Sequence, residues 1–196
     1  MDDVCFNNNH IFATTSSFTS SSVCIYTISE SKYSNTKTID LPCASSNHSA
    51  YRHTICIING NIIVACESSE KLYVIPDNDD DTITVVTTSL SGPRIYQSDD
   101  ETVLIGSHTE LYFADVRDII ASLAFARATP PPAMEGSREV GASGGQAVST
   151  HTGGELQVKE VKLELRLSGW IRGAAFTGSA LFVASSSRLT KYEIKA

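Results

Sequence analysis

The sequence lacks any long apolar run. No stretch approaches the ~18 consecutive apolar residues that a membrane-spanning helix needs. The first ten residues, MDDVCFNNNH, have neither the basic start nor the apolar centre of a secretory signal. These absences predict a soluble protein of the cytoplasm or the nucleus, with no membrane span.

Positive charge is scarce in the first half of the chain. The first hundred residues contain five lysines and arginines against twelve aspartates and glutamates, whereas the remainder contains ten of each kind. The whole net charge of −7 therefore lies in the first half. Because lysines and arginines bind phosphate backbones, this composition argues against nucleic acid as a partner.

Motifs for metal binding and disulfide pairing are also lacking. The five cysteines form an odd set without a C-x-x-C pair, which predicts free thiols in a reducing compartment. The histidines show no spacing typical of a zinc site, so neither a metal nor a cofactor is expected. Residues 77–81, DNDDD, offer oxygen ligands but lack the glycine and glutamate of a calcium loop, which favours a solvated turn.

Catalytic motifs are missing as well. There is no G-x-S-x-G elbow, and the clustered glycines fall in a polar segment where they cannot cradle a phosphate. No catalytic residue is predicted, and the protein is expected not to be an enzyme. Catalysis by residues that converge only in the folded chain stays open as an alternative.

The sequence does contain a repeated strand pattern. Residues 102–117, TVLIGSHTELYFADVR, consist of two apolar runs separated by a polar break, which is typical of antiparallel strands joined by a turn. The same pattern, preceded by one more strand, occurs four times. The four predicted units are 4–6, 10–14 and 23–28; 54–58, 61–66 and 71–75; 94–97, 102–107 and 110–116; and 173–176, 180–185 and 188–194.

The spacing of the units leaves room for a fourth strand in each gap. Residues 37–41, 82–88 and 156–167 have strand patterns that could fill those gaps. Ala13, Ala65, Gly106 and Ala184 occupy equivalent positions, separated by 52, 41 and 78 residues. The last interval exceeds the usual ~40–45 residues of a propeller blade. The excess is attributed to residues 126–154, whose Pro, Gly, Ser and Thr content predicts a flexible insertion. Residues 116–125 just before it are predicted as a short helix or an irregular strand.

The third unit resembles the end of a WD40 repeat, because Ala114-Asp115 closes its last strand where that family has Trp-Asp. The resemblance implies an all-β, WD40-like β-propeller of about four four-stranded blades, the last lacking its outer strand. One domain is expected, with blades 1–3 in residues 1–125, the insertion in 126–154, and the end of blade 3 and blade 4 in 155–196. A generic antiparallel β-sandwich built from the same strands is the alternative.

The WD40-like resemblance implies protein binding at the loops that enter the first strand of each unit. The large amphipathic side chains there, of types that dominate interface hot spots, are Tyr51, Arg52, Arg94, Trp170 and Arg172. Packing between blades is the alternative for Trp170, and solvated loop charge for the three arginines.

The predicted function is a non-catalytic protein–protein interaction scaffold, a subunit of a larger intracellular assembly. A protein partner, or a second copy, is expected to complete the open propeller by strand addition or self-association. The alternative is an enzyme or small-ligand binder that uses the central channel. Buried polar residues converging at the first strands would favour that alternative.

Overall fold

The chain folds into β-strands arranged in four sheets. A computed structural model describes residues 1–17, 20–30, 32–43, 52–76, 82–88, 90–98, 102–115, 117, 150–156, 170–177 and 179–193, with the backbone alone for 97–98 and 150–156. Fifteen strands in this part of the chain confirm the all-β prediction. No helix among these residues is long and apolar enough to cross a lipid bilayer.

The first two sheets are built from consecutive antiparallel strands. The first sheet contains, in order, β1 (Asp3–Asn7), β2 (His10–Ser16), β3 (Ser21–Ser29) and β4 (Lys32–Asp40). The second contains β5 (His53–Ile58), β6 (Asn61–Cys66), β7 (Lys71–Pro76) and β8 (Ile83–Thr88) in the same manner. Asn59 and Gly60 between β5 and β6 both have positive φ, 47° and 72°, as a tight hairpin turn requires. β4 and β8 occupy the places predicted for the first two gap strands.

The third and fourth sheets have three consecutive strands each in the described chain. The third contains β9 (Arg94–Ser98), β10 (Thr102–Gly106) and β11 (Leu111–Asp115). Further along, after β12 (Thr150–Leu156), the fourth contains β13 (Ile171–Thr177), β14 (Ala180–Ser185) and β15 (Leu189–Glu193). Each sheet is an antiparallel meander, as the strand pattern predicts.

The four small residues predicted to be equivalent lie on strands that occupy the same place in their sheets. Each sits on the second strand of its sheet and faces one residue of the first strand. These pairs are Ala13 with Val4, Ala65 with Thr54, Gly106 with Arg94, and Ala184 with Gly173. The offset of the pair from the turn differs between sheets, and the ladders of the third and fourth sheets contain register shifts, so the equivalence of the four units stays a prediction.

The hydrophobic core is divided into three clusters between successive sheets. The first cluster joins sheets one and two and includes Phe12, Val23, Ile62, Tyr73 and Ile83. The second joins sheets two and three, for example through Ile63, Leu72, Val103 and Ile105. The third joins sheets three and four through Leu104, Leu111, Ile171, Leu181 and Val183. Sheets two and three are thus apolar on both faces, which explains their continuous apolar runs.

The strand after the long polar segment differs from the prediction. Thr150–Leu156 forms β12, which pairs in parallel with β8 and is a fifth strand of the second sheet. The sequence predicted residues 126–154 as an insertion and 156–167 as the outer strand of the third unit. The segment THTGGEL has no apolar alternation, and it pairs through backbone hydrogen bonds at the edge of a sheet, a contact that leaves no side-chain pattern.

Several predicted segments lie outside the described residues. These are the acidic turn at 77–81, most of the 116–125 segment, residues 126–149 of the insertion and residues 157–167.

Candidate functional site

Three of the predicted binding residues meet at the ends of the first strands. Arg52 precedes β5, Arg94 begins β9 and Arg172 lies in β13. Since β5 contacts β9 and β9 contacts β13, residues far apart in sequence reach one end of the sheets. Tyr51, the fourth residue predicted from these loops, lies outside the described residues.

Glu67, directly after β6, links these loops. Its Oε1 accepts a hydrogen bond of 2.6 Å from Arg94 Nη2 and also contacts Nε2 of His108. Its Oε2 accepts a hydrogen bond of 3.3 Å from the Arg52 amide, and its own amide donates to the Arg52 carbonyl. One carboxylate therefore connects the second sheet to the third.

Trp170 joins this arrangement through His108. The two rings lie with centroids 5.0 Å apart, and the amide of Ile171 donates a hydrogen bond of 2.7 Å to the His108 carbonyl. The Arg172 guanidinium lies 5.9 Å from the centre of the indole ring, within range of a cation–π interaction. Glu67, Arg94, His108, Trp170 and Arg172 are called the Glu67 cluster below.

Exposure separates the predicted binding residues into two kinds. Trp170 is 57% exposed, and Arg52 and Arg172 are also exposed, so all three are accessible to a partner, while the indole of Trp170 also contacts His108 in the turn after β10. Arg94 is only 7% exposed, and its Nε has no hydrogen-bond partner among the described residues. Arg94 is not the solvated loop charge that the sequence offered as its alternative, because the Glu67 carboxylate balances it inside the fold.

A cavity of about 230 Å³ adjoins the Glu67 cluster. It is lined by the starts of the first strands of all four sheets, and its acidic and basic residues are Asp2, Asp3, Arg52, His53, Arg94 and Arg172. Of these residues, His53 and Arg94 are buried, whereas Arg52 and Arg172 are exposed.

A second group of side chains lies in the core between the first and second sheets. Cys43, His53 and Cys66 place one donor atom each within 4.8 Å of one another, and all three are buried. This set is called the cysteine–histidine cluster below. All five cysteines are free thiols, as predicted. The sequence gave no warning of this cluster, since its members follow β4, begin β5 and end β6.

Hydrogen bonds polarise the cysteine–histidine cluster. Cys66 has its pKa lowered to about 3 by hydrogen bonds from Cys43, His53 and Ser68. The pKa of Cys43 is raised by the hydrogen bond to Cys66 and by burial. Burial lowers the pKa of His53, but its bonds to Cys66 and Asp2 outweigh that effect and raise it. The three side chains therefore form one hydrogen-bonded group inside the protein.

Sequence reasoning also missed Glu67 and His108. A single glutamate after a strand and a histidine in a turn carry no motif, and only the packing of the sheets makes them neighbours.

Known proteins provide no further guide to this site. No family model, no curated protein and no solved structure matches the chain.

Proposed function

We propose that this protein is a non-catalytic protein–protein interaction scaffold and a subunit of a larger assembly, and that a partner docks on Trp170 and Arg172. The observation that carries the proposal is that Trp170 is exposed and yet held in contact with its neighbours. Its indole is 57% exposed, yet it is held against His108 on one side and beside Arg172.

A fixed, exposed tryptophan favours protein binding on energetic grounds. Trp and Arg are enriched among the residues that contribute most to interfaces. A side chain that already has one conformation loses little entropy when a partner covers it, which otherwise costs about 0.5–1.5 kcal/mol per side chain. Glu67 supports this conformation by binding His108.

Charge indicates the chemistry of the partner. The Glu67 carboxylate is engaged by Arg94 and His108, whereas the exposed Arg52 and Arg172 flank the same surface. A segment with a carboxylate beside an apolar side chain would pair with an arginine and cover the indole. We therefore expect an acidic, partly apolar peptide segment of a partner protein.

The proposed architecture is a WD40-like β-propeller. Its support is the order of the sheets: the first strand of each contacts the first strand of the next, from β1 through β5 and β9 to β13. The three apolar interfaces between four sheets also differ from the single interface of a two-sheet sandwich.

An exposed strand edge supports the second part of the proposal, strand addition. β15 is the last strand of its sheet in the described chain, and Leu189 on it is 68% exposed. A strand of a partner, or of a second copy, could pair there. Sedimentation across a range of concentrations should show self-association. Strand addition would be contradicted if the protein were a monomer at every concentration and if Lys191→Pro, which removes a backbone donor of β15, captured the same partner proteins as the wild type.

Affinity capture from the native source tests the docking surface. The tagged full chain is compared with the double variant Trp170→Ala/Arg172→Ala and with the control Lys32→Ala/Tyr33→Ala, which changes an exposed basic residue and an exposed aromatic residue of the first sheet. The proposal expects proteins that bind the wild type and the control but not the Trp170 variant, while circular dichroism shows all three folded. Identical captured proteins from all three chains would overturn it.

The cavity favours a second candidate function, the binding of a small anionic ligand in the channel. Arg94 lines the cavity, is 7% exposed and has an unpaired Nε among the described residues. Thermal unfolding in the presence of succinate or inorganic phosphate separates the two functions. A dose-dependent rise in Tm that is lost in Arg172→Ala would support the ligand binder, and an unchanged Tm would contradict it.

A further inference from the structure

We propose that Cys43, His53 and Cys66 bind a Zn²⁺ ion that ties the segment after β4 to the second sheet. The site is separate from the surface at Trp170 and does not depend on the proposed function. Its ligands would be two thiolates and one imidazole, a set typical of zinc.

The distances fit a zinc centre. Zinc lies about 2.3 Å from sulfur and about 2.0–2.1 Å from nitrogen, so a tetrahedral ion separates these two ligands by about 3.6 Å. Sγ of Cys43 and Nε2 of His53 are 3.4 Å apart. The three donor atoms lie within 4.8 Å of one another, so a single ion can reach all of them with small side-chain movements.

The orientation of His53 is the second observation that indicates a metal. Its Nδ1 lies 3.1 Å from Oδ2 of Asp2, while its Nε2 faces Cys43. A carboxylate on the far nitrogen is the usual support for a metal-binding histidine, because it sets the ring and makes the near nitrogen a better donor. The imidazole is 2% exposed, so this orientation is built into the fold.

The surroundings explain why a cation suits the site. Cys66 is 1% exposed and Cys43 is 8% exposed, among the apolar residues of the first core cluster. Negative charge on buried sulfur is costly unless a cation balances it. Zinc would balance two thiolates, and its binding would release any protons that the ligands hold. Ser68, whose hydroxyl lies 3.0 Å from Sγ of Cys66, or a water molecule would supply the fourth ligand.

The ion would have a structural role. Cys43 follows β4 of the first sheet, whereas His53 and Cys66 belong to β5 and β6 of the second. Zinc would close the connection between these two sheets and hold their shared core together. All three protein ligands are buried and they come from two sheets, which indicates a structural ion, with Ser68 or water filling the fourth position that a catalytic site leaves to its substrate.

Metal analysis of the purified full chain tests the proposal. After expression with added zinc and dialysis against metal-free buffer, the wild type should retain one Zn²⁺ per chain, and Cys66→Ser should retain little. Cys24→Ser, which changes a thiol outside the cluster, should retain as much as the wild type. Absence of bound zinc in the wild type would overturn the proposal.

Two further measurements keep the test decisive where Cys66→Ser fails to fold. Co²⁺ added to the stripped wild type should produce thiolate-to-metal charge transfer and the visible bands of a tetrahedral site. A spectrum without thiolate transitions would reject the ligands. Asp2→Asn should weaken zinc binding about 10- to 100-fold in chelator competition, and an unchanged affinity would reject the role of His53. The intact mass of the wild type grown under reducing conditions is a further check. A mass lower by two hydrogens would indicate a disulfide between Cys43 and Cys66 and would also overturn zinc binding.

Discussion

The amide of Ile95 donates a hydrogen bond of 2.7 Å to the hydroxyl of Thr54. These residues lie on β9 and β5, first strands of neighbouring sheets that share no ladder. A hydrogen bond of the same kind joins the first and second sheets, where the Ile55 amide of β5 donates to Oδ2 of Asp3 on β1 at 3.0 Å. A polar side chain at the start of one first strand thus satisfies the backbone of the next, which keeps successive sheets in register.

Thr54→Val should destabilise the protein. The substitution keeps the size of the side chain but leaves the buried Ile95 amide without its acceptor, which costs about 1–3 kcal/mol. Urea unfolding should show this loss, and the exposed Thr177→Val should change the free energy of unfolding by less than about 0.5 kcal/mol. Equal stability of the two variants would mean that the bond between the first strands contributes nothing.

Gly106→Ala should be strongly destabilising. A Cβ on Gly106 would lie 2.1 Å from the Glu110 carbonyl oxygen, and that oxygen is held by the Ser107 amide at 2.9 Å. Because the clashing atom belongs to the backbone of the turn, relief requires movement of the chain, at a cost of about 1–3 kcal/mol or more. Gly173→Ala is the matched control, since nothing lies within 4 Å of its Cβ position. Thermal unfolding of both variants checks the difference. A small effect at Gly106 would contradict the close approach of the Glu110 carbonyl to this position.

Glu67→Gln should destabilise the protein and release Trp170. The change leaves Arg94, which is 7% exposed, without a counter-charge, and breaking a buried pair in this way costs about 3–5 kcal/mol. Trp170 is the only tryptophan, so its fluorescence reports on the His108 contact directly. We expect a changed emission intensity and greater quenching by iodide in folded Glu67→Gln, at a denaturant concentration well below its midpoint. The exposed Glu70→Gln should leave the emission unchanged, and unchanged emission in both variants would show that Glu67 does not position the indole.

Tyr96 should make stability fall at alkaline pH. Burial raises the pKa of Tyr96 to about 12 from the ordinary 10.0, and its hydroxyl donates a hydrogen bond of 2.7 Å to the Ser107 carbonyl. A pKa that is higher in the folded state means that the contribution of Tyr96 is complete below about pH 10 and is lost as the pH rises through about 12. Tyr96→Phe should therefore cost about 1 kcal/mol at neutral pH and progressively less at alkaline pH. Urea unfolding at a series of pH values checks this, and a constant difference between the two proteins would contradict it.

Much of the fold could be read from local patterns. Alternation of apolar residues predicts the consecutive strands, and Asn59-Gly60 predicts its hairpin, because both depend on residues close in sequence. β12 was mispredicted because its position depends on residues far away in the sequence. Its place beside β8 depends on an available strand edge, which the residues of Thr150–Leu156 do not encode.

The candidate sites divide in the same way. Composition and loop position were sufficient to select Arg52, Trp170 and Arg172, because large amphipathic residues in exposed loops are visible in a sequence. The burial of Arg94 and its pairing with Glu67 were not visible, since they depend on how the second sheet packs against the third.

The sequence by itself determined most of the strands and the acidic first half, because each of these is a property of neighbouring residues or of composition. Only the tertiary structure decided that Cys43, His53 and Cys66 meet, and that Glu67 connects Arg94 to His108. Those contacts join residues separated by whole strands, and they form because apolar faces of successive sheets must be buried against each other. Polar side chains at the sheet ends are then brought together by that packing.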